Sequence, residues 1–224
     1  MAIVSISGKA QSGKDTVGEI LQNLFRGKKY FEGVGWVLQA DSVLLAGLHH
    51  SKKWEIKKFA GKLKSSIEHK FPNAFNAEKW EKGGSGYRDI LIYSLDMTRR
   101  ELLINEAMAL RGICKDYWVM ALFDEYRKQT LEWDSEGNSK LDRFPNWIIT
   151  DMRFPNEMRA VEKMNGITIR VERKGIPKID SISETSLDKG FVFDHVINND
   201  GTLLELIRQV EQIYKSIINE LSKN

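Results

Sequence analysis

Residues 8–16, Gly8-Lys9-Ala10-Gln11-Ser12-Gly13-Lys14-Asp15-Thr16, follow the short apolar run Ala2–Ile6 and precede a segment, Val17–Phe25, with apolar residues at helical spacing. The context is therefore strand, loop, helix. Glycine, four residues and then Gly-Lys in this context predict a phosphate-binding loop (P-loop). Its backbone N–H groups surround phosphate oxygens, the helix N-terminus adds partial positive charge, and Lys14 reaches the outer phosphates. The alternative is an ordinary glycine-containing turn capped by Asp15.

The motif differs from the commonest P-loop pattern in the position of its hydroxyl residue. That pattern has Ser or Thr directly after the lysine, as a magnesium ligand. In this chain Asp15 intervenes and the hydroxyl belongs to Thr16. Nucleoside monophosphate kinases have a similar Gly-Lys-x-Thr spacing, so the motif favours kinases of small molecules over switch GTPases. The predicted nucleotide contacts in this loop are Gly8, Lys9, Gln11, Ser12, Gly13, Lys14, Asp15 and Thr16.

Composition limits the class of protein. The 224 residues allow one large α/β domain, or one domain with a lid-like insertion, with a full core. The single cysteine, Cys114, and the lack of a leader or of about 18 consecutive apolar residues predict a cytoplasmic protein that does not enter a membrane. Lys and Arg total 34 against 31 Asp and Glu, a net charge of +3, which does not predict stable nucleic-acid binding.

A second candidate element of the site follows a buried strand. Asn146–Thr150 is an apolar segment that ends in Asp151, and Arg153 comes two residues later. In P-loop proteins such a strand lies beside the loop, and its terminal carboxylate holds magnesium or its waters. We therefore predict that Asp151 and Thr16 bind magnesium through water molecules. A simple helix cap is the alternative for Asp151.

Basic residues between the P-loop and this strand are candidates for a second anionic ligand. Lys62 and Lys64 follow the predicted strand Trp54–Phe59, at the end of a strand where ligands bind in open α/β sheets. A solvated helix face explains single lysines equally well. Arg100 and Arg111 lie on a helix predicted from Thr98, or from a cap at Asp96, and their forked donors suit phosphate. The pair His49-His50 is interpreted as a surface feature rather than a metal site, because no further ligand lies at suitable spacing.

The remaining pattern alternates strands and helices. Strands are predicted at 167–173 and 193–199 and an amphipathic helix at Leu203–Leu221, whereas 27–50 is weakly patterned and 183–188 is a short polar segment. The glycines at 83–86 predict a helix-free, mobile 73–88 segment without core residues, and 132–143 is predicted as a loop. The alternation predicts a parallel, right-handedly wound sheet with helices on both faces, in one domain over 1–224 with an insertion at about 60–125.

Five segments together resemble the deoxynucleoside monophosphate kinase family of phages, and they occur in that family's order over nearly the whole chain. They are SGKAQSGKDT, WEIKKFAGKLK, TRRELL with KDYWVMAL, ITDMRFPNEMRAVEKMNGITIRVER, and SETSLD followed by FDHVINNDGTLLEL. The resemblance implies a P-loop, nucleoside-monophosphate-kinase-like fold with lid and acceptor-binding insertions. It implies transfer of the γ-phosphoryl group of ATP to a deoxynucleoside 5′-monophosphate, with Mg²⁺, and a possible homodimer.

The resemblance also assigns roles to residues. Residues 8–16 would hold ATP, Lys14, Asp15, Asp151 and Arg153 would form the catalytic set, and the turn Asn198, Asn199, Gly201 and Thr202 would border adenine. The acceptor side would consist of Phe59, Lys62, Lys64, Arg100, Arg111 and Trp118. This chain departs from the family at Asn105–Met108, where a Gly-Thr pair is usual, and 31–50 matches nothing in it.

Other functions remain open from the sequence. A P-loop kinase acting on hydroxymethylated bases in DNA shares the loop type, although such an enzyme should have a basic groove with exposed aromatic residues. Dephospho-coenzyme A kinase is a further relative with a similar C-terminal pattern. A regulatory protein that binds ATP without transferring phosphate belongs to a different class altogether.

Overall fold

The computed structural model describes residues 2–38, 54–82, 84–128, 132–133, 139–140, 145–177, 179 and 181–222. Its strands are β1 (Ile3–Gly8), β2 (Lys28–Phe31), β3 (Gly35–Leu38), β4 (Trp54–Lys57), β5 (Leu91–Ile92), β6 (Met97–Thr98), β7 (Glu132–Trp133), β8 (Ser139–Lys140), β9 (Asn146–Met152), β10 (Ile167–Glu172) and β11 (His195–Asn198). Its helices are α1 (Lys14–Phe25), α2 (Phe59–Lys70), α3 (Ala77–Lys82), α4 (Gly84–Arg88), α5 (Arg99–Ile113), α6 (Tyr117–Lys128), α7 (Pro155–Lys163), α8 (Ile182–Thr185) and α9 (Leu203–Leu221).

The chain divides into two compact units. The first unit contains Met1–Lys57 and Tyr126–Asn224, and the second contains Lys58–Glu125. The bounds of the second unit are close to those of the insertion expected at about 60–125. The prediction that both units belong to one domain stays a prediction.

A five-stranded parallel sheet forms the centre of the first unit. Its strand order is β11-β10-β1-β9-β4, and every neighbouring pair is parallel. The central strand β1 is buried along its whole length, as expected for a strand with neighbours on both sides and helices on its faces. This arrangement confirms the predicted parallel α/β sheet with a P-loop after its first strand. The carboxyl ends of β1, β9 and β10 therefore meet at one edge, where such sheets bind ligands.

Helices α1 and α9 cover one face of this sheet. Their buried residues form one cluster with Val4 and Ile6 of β1, with Ile148 of β9 and with Ile169 of β10. The spacing of these residues in α9 explains the match between the predicted and observed helix, because apolar side chains recur every three or four residues. Helix α7 contacts β1 and β10, and a Cβ on Gly166, after the helix, would contact Val161 and the carbonyl oxygen of Ile3. Met158 and Val161 of α7 are buried but do not belong to the cluster that α1 and α9 form, so α7 packs on the opposite face of the sheet.

The second unit has its own apolar core. Residues of α2, α5 and α6 pack there with side chains from the intervening segment, namely Leu63, Ile67, Phe75, Trp80, Ile92, Leu102 and Trp118. Helix α5 begins with a capping box: the Thr98 hydroxyl accepts from the Glu101 N–H, and the Glu101 carboxylate accepts from the Thr98 N–H. Of the two predicted caps, the structure therefore selects Thr98.

Two local predictions were wrong. The 73–88 segment contains two helices, α3 and α4, and it does contribute core: Phe75 is 1% exposed and Trp80 is 7% exposed. Tyr87 of α4 packs against the same core, and this packing outweighs the low helix propensity of the glycines in α4. The 132–143 segment contains the antiparallel pair β7–β8, with its other residues outside the described part of the chain. The weakly patterned region at 27–50 begins with the hairpin β2–β3. The pair His49-His50 lies outside the described residues.

Candidate nucleotide-binding site

The P-loop connects β1 to α1 through two left-handed backbone conformations. Gln11 has φ 65° and Gly13 has φ 93°, and the Ser12 N–H donates to the Lys9 carbonyl oxygen at 3.1 Å. Successive turns of this kind direct backbone N–H groups toward one point, which forms an anion-binding concavity. Helix α1 begins at Lys14, so its free N–H groups and its positive dipole end lie at the loop.

Lys14 is held over the loop. Its side chain is largely buried, with 7% of the residue exposed, and its Nζ donates to the Lys9 carbonyl oxygen at 3.2 Å. The long side chain thus folds back across the turn instead of extending into solvent. The Ser12 side chain is fully buried, and its hydroxyl has no hydrogen-bond partner among the residues that the structure describes.

Asn199, which follows β11, connects the P-loop to the end of β10. Its Nδ2 donates to the Ser12 carbonyl oxygen at 2.8 Å, and its own backbone N–H donates to Glu172 at 2.8 Å. A Cβ on Gly13 would fall inside van der Waals contact of this Nδ2. Gly13 is thus required both by its positive φ and by the close approach of Asn199. The turn predicted to border adenine therefore supports the P-loop directly.

Asp15 accepts a hydrogen bond from β9, the strand that contains Asp151, and does not cap α1. The N-cap of α1 is Gly13, and no side chain caps this terminus. The Thr150 hydroxyl on β9 donates to Asp15 Oδ1 at 2.7 Å, and the Thr150 methyl lies where a side chain on Gly18 would be. This interaction joins the first turn of α1 to the end of β9. The alternative interpretation, a turn capped by Asp15, is therefore wrong.

Asp151 lies at the same sheet edge as the P-loop. The register of the parallel pair β1–β9 places Ser7 opposite Met152, so Asp151 lies near the end of β1, just before the loop. The Asp151 side chain is half-buried, and Thr16 is exposed on α1. No cluster of three or more His, Cys, Asp or Glu side chains able to hold a metal occurs within the described ranges. Mg²⁺ usually takes one or two carboxylates together with water and phosphate oxygens, so Asp151 and Thr16 fit that ion.

Arg153 and Glu184 form an ion pair beside the P-loop. The Arg153 guanidinium contacts Glu184 Oε1, and the Arg153 backbone N–H donates to Oε2 of the buried Glu157 at 2.7 Å. The second carboxylate oxygen of Glu184 accepts from the Ala10 N–H of the P-loop at 2.6 Å. Sequence reasoning gave Glu184 no role, although it lies in the SETSLD segment, because nothing local in a short polar segment indicates a contact with the P-loop.

A second acid, Asp188, forms ion pairs with two basic residues next to the P-loop. Its carboxylate pairs with Lys9 Nζ at 3.0 Å and with the Arg170 guanidinium, which also donates to the Ser7 hydroxyl at 3.1 Å. Burial raises the pKa of the Asp188 carboxyl, but hydrogen bonds and positive charge from Lys9 and Arg170 outweigh burial. The net effect holds this pKa below its ordinary value of 3.8.

This lowered pKa predicts a pH-dependent contribution of Asp188 to stability. Because the pKa is lower in the folded than in the unfolded chain, the stabilisation is present above about pH 3.8 and is lost as the pH falls below that value. We expect Asp188→Asn to be less stable than wild type near pH 7. The difference should shrink as the pH falls below 3.8 and vanish only once the carboxyl is protonated in the folded chain as well. Urea unfolding of both proteins at several pH values measures it, and a difference that grew on acidification would contradict the assignment.

A cavity of about 660 Å³ opens at the carboxyl ends of β10 and β11, beside Lys9. The Arg170 guanidinium lies 5.7 Å from the centre of the Phe193 ring at its wall. The cavity is lined by both apolar and charged residues: Lys9, Arg170, Val171, Glu172, Arg173, Lys174, Ile176, Leu187, Asp188, Phe191, Val192, Phe193, Val196, Asn198 and Asp200. Its volume is sufficient for a small organic ligand.

The other residues of the predicted adenine turn have structural contacts. The Thr202 hydroxyl caps α9 in a capping box with Glu205. A side chain on Gly201 would collide with the Glu205 carboxylate. Asn198 lines the cavity through an exposed side chain, while its backbone bonds to Gln209. Of these four residues, Asn198 lines the cavity, whereas Asn199 is buried and bonded to the P-loop backbone.

The six residues predicted for the acceptor side all belong to the second unit. Phe59 is 2% exposed and packs near Phe123, and Trp118 is 4% exposed with its Nε1 donating to the Ala107 carbonyl oxygen at 3.4 Å. Lys62 pairs with Glu125 at 2.6 Å, and Arg100 pairs with Asp89 at 2.6 Å. Lys64 is buried and Arg111 is half-buried. Their roles toward an acceptor stay predictions.

The parallel sheet, the P-loop with its buried lysine and the acid-ended neighbouring strand define a class: the P-loop kinases, which are phosphotransferases. The chain is similar to the deoxynucleotide monophosphate kinase of Escherichia phage RB69, with 24% identity over 257 aligned positions that cover 96% of this chain and 100% of the relative. This similarity confirms the resemblance predicted from the sequence motifs.

Two further comparisons complete this picture. A gluconokinase from Sinorhizobium meliloti 1021 is 12% identical, with a TM-score of 0.40 over 99% of this chain and 95% of its own. No protein-family model matches the chain. Within the described ranges, the helices are too short or too polar for any of them to cross a membrane.

Proposed function

We propose that this protein transfers the γ-phosphoryl group of ATP to a deoxynucleoside 5′-monophosphate and releases the diphosphate and ADP. The observation that supports this most is the P-loop geometry: Lys14 folds across an anion-binding turn at the open edge of a parallel sheet. The similarity to the phage enzyme, over the whole length of that relative, is the reason to choose a nucleotide as acceptor.

In this proposal the phosphates of ATP lie on the P-loop and the nucleoside lies in the neighbouring cavity. Backbone N–H groups of the loop, Lys14 and the N-terminus of α1 together offer the positive charge that a triphosphate requires. The cavity adjoins the loop at Lys9 and has Asn198 on its wall. A base stacked near Phe193 and Arg170 would lie close to the turn that contains Asn198.

The residues of the site would act mainly through position and charge. A phosphate acceptor is already nucleophilic at neutral pH, so the transfer needs no general base, and in-line alignment and neutralisation of charge are the chief requirements. Lys14 and Arg153 would stabilise the negative charge on the transferred group. Asp151 and Thr16 would hold Mg²⁺, which neutralises charge on the ATP phosphates when it is bound. Asp15, anchored by Thr150, would orient water near that ion.

The acceptor monophosphate is assigned to the second unit. Arg100, Arg111, Lys62 and Lys64 offer the cationic groups that a phosphate requires. Phe59 and Trp118 are 2% and 4% exposed, so either ring would have to become accessible before a base could stack on it. Closure of mobile segments would exclude water and suppress hydrolysis of ATP.

An acceptor panel tests the proposal directly. ADP release from MgATP is measured with dAMP, dCMP, dGMP, dTMP, a hydroxymethylated pyrimidine monophosphate, dephospho-coenzyme A and modified duplex DNA, beside a control without acceptor. We expect stimulation by at least one monophosphate. Stimulation only by DNA or only by dephospho-coenzyme A would reassign the substrate, and ATP binding without stimulation by any acceptor would favour a regulatory role.

A further inference from the structure

A carboxylate of the protein itself, that of Glu184, contacts the P-loop at a position suited to phosphate. Glu184 on α8 accepts a hydrogen bond from the Ala10 N–H at 2.6 Å, and its other oxygen contacts the Arg153 guanidinium. A carboxylate bound at once by a P-loop amide and by an arginine has the same partners as a phosphate oxygen in such a loop. The Glu184 side chain is only 7% exposed, so water screens its charge weakly.

Glu184 and a bound phosphate cannot both accept from the Ala10 N–H. The Ala10 N–H has one hydrogen, and a short bond to Glu184 occupies it. A weakly screened carboxylate next to a triphosphate would also repel it. The two anions therefore compete for the Ala10 amide, and the Glu184 carboxylate offsets part of the positive charge that the Arg153 guanidinium would offer to a phosphate.

We propose that Glu184 is an internal competitor of the nucleotide phosphates, which occupies the P-loop amide and Arg153 until ATP displaces it. Displacement would release Arg153 at the moment when a phosphoryl group needs it, and it would free α8 from the loop. The apparent Kd for ATP would then equal the Kd of the unoccupied P-loop divided by the fraction of molecules in which Glu184 has left the loop. This inference rests on the proposed function only in taking a triphosphate as the ligand of the P-loop.

A different role for Glu184 makes the opposite prediction. If its carboxylate served only to position Arg153 for catalysis, its removal would lower the transfer rate without strengthening ATP binding. The competitor role predicts stronger binding of ATP and of any other polyphosphate. The two roles are therefore separated by binding affinity measured without an acceptor.

The test is calorimetric titration of wild type and Glu184→Gln with MgATP and, separately, with magnesium tripolyphosphate, which has no base. Gln keeps the size of the side chain but removes its charge. We expect Glu184→Gln to bind both ligands about tenfold more tightly, within the usual range of such couplings. Glu220→Gln, the same change at an exposed position near the end of α9, should leave both affinities unchanged. An affinity of Glu184→Gln that is unchanged or weaker overturns the inference.

A second variant protects the test against misfolding. Glu184→Asp keeps the charge but is one methylene shorter, so it reaches the Ala10 amide less well, and it should also strengthen tripolyphosphate binding. Thermal unfolding of each variant identifies loss of fold. The acceptor panel separates the two hypotheses: if wild type responds to a monophosphate while Glu184→Gln and Glu184→Asp bind ATP no more tightly, only the competitor role fails. If the variants bind more tightly but no acceptor stimulates turnover, the competitor role stands and the proposed function fails.

Discussion

Lys14→Ala should reduce acceptor-dependent ADP release by roughly 10²-fold or more, the loss that follows removal of one preorganised charge-stabilising group. The lysine is the cation placed over the turn, and no other lysine of the loop has its buried position: Lys9 is engaged by Asp188. The measurement is the turnover rate at saturating ATP and acceptor, together with kcat/KM for ATP.

The fold should survive this change, because the substitution removes a largely buried ammonium whose transfer from water is itself unfavourable. Lys14→Met offers a closer match, since it keeps the length and packing of the stem without the charge. Lys215→Ala, an exposed lysine on α9, is the control and should retain full turnover. Turnover near the wild-type rate in Lys14→Ala would exclude the P-loop assignment.

Gly13→Ala should destabilise the protein and weaken ATP binding together. A side chain at φ 93° costs about 1–2 kcal/mol. The new Cβ would also displace the Asn199 amide from the Ser12 carbonyl, and the loss of that hydrogen bond costs a further ~0.5–1.5 kcal/mol. We therefore expect the free energy of unfolding to fall by roughly 2–3 kcal/mol, measured by urea unfolding.

Gly35 offers a matched control within the same unit. It also has φ 93°, but among the described residues no atom lies within 4 Å of a Cβ placed there. Gly35→Ala should lower the free energy of unfolding only by the cost of a side chain at positive φ, about 1–2 kcal/mol, and should bind ATP normally. If Gly13→Ala and Gly35→Ala proved equal in stability and in ATP affinity, the hydrogen bond from Asn199 to the P-loop would contribute to neither.

Much of the fold was predictable because its signals are local. The P-loop is a contiguous motif, the apolar strand before Asp151 is a short run, and α9 repeats apolar residues over nineteen positions. Each depends on residues within a few positions of one another. The 73–88 segment was mispredicted for the same reason: its glycines are a local signal, whereas the burial of Phe75 and Trp80 depends on residues of α2, α5 and α6.

The sequence by itself determined the class of loop and the order along the chain of the five strands of the central sheet, and it predicted the residues that would meet phosphate. Only the tertiary structure decided what holds that loop in place. The Ala10–Glu184, Ser12–Asn199 and Asp15–Thr150 bonds join residues 174, 187 and 135 positions apart. The parallel sheet brings strands distant in sequence to one edge, so these contacts arise from strand order, and no local pattern specifies them.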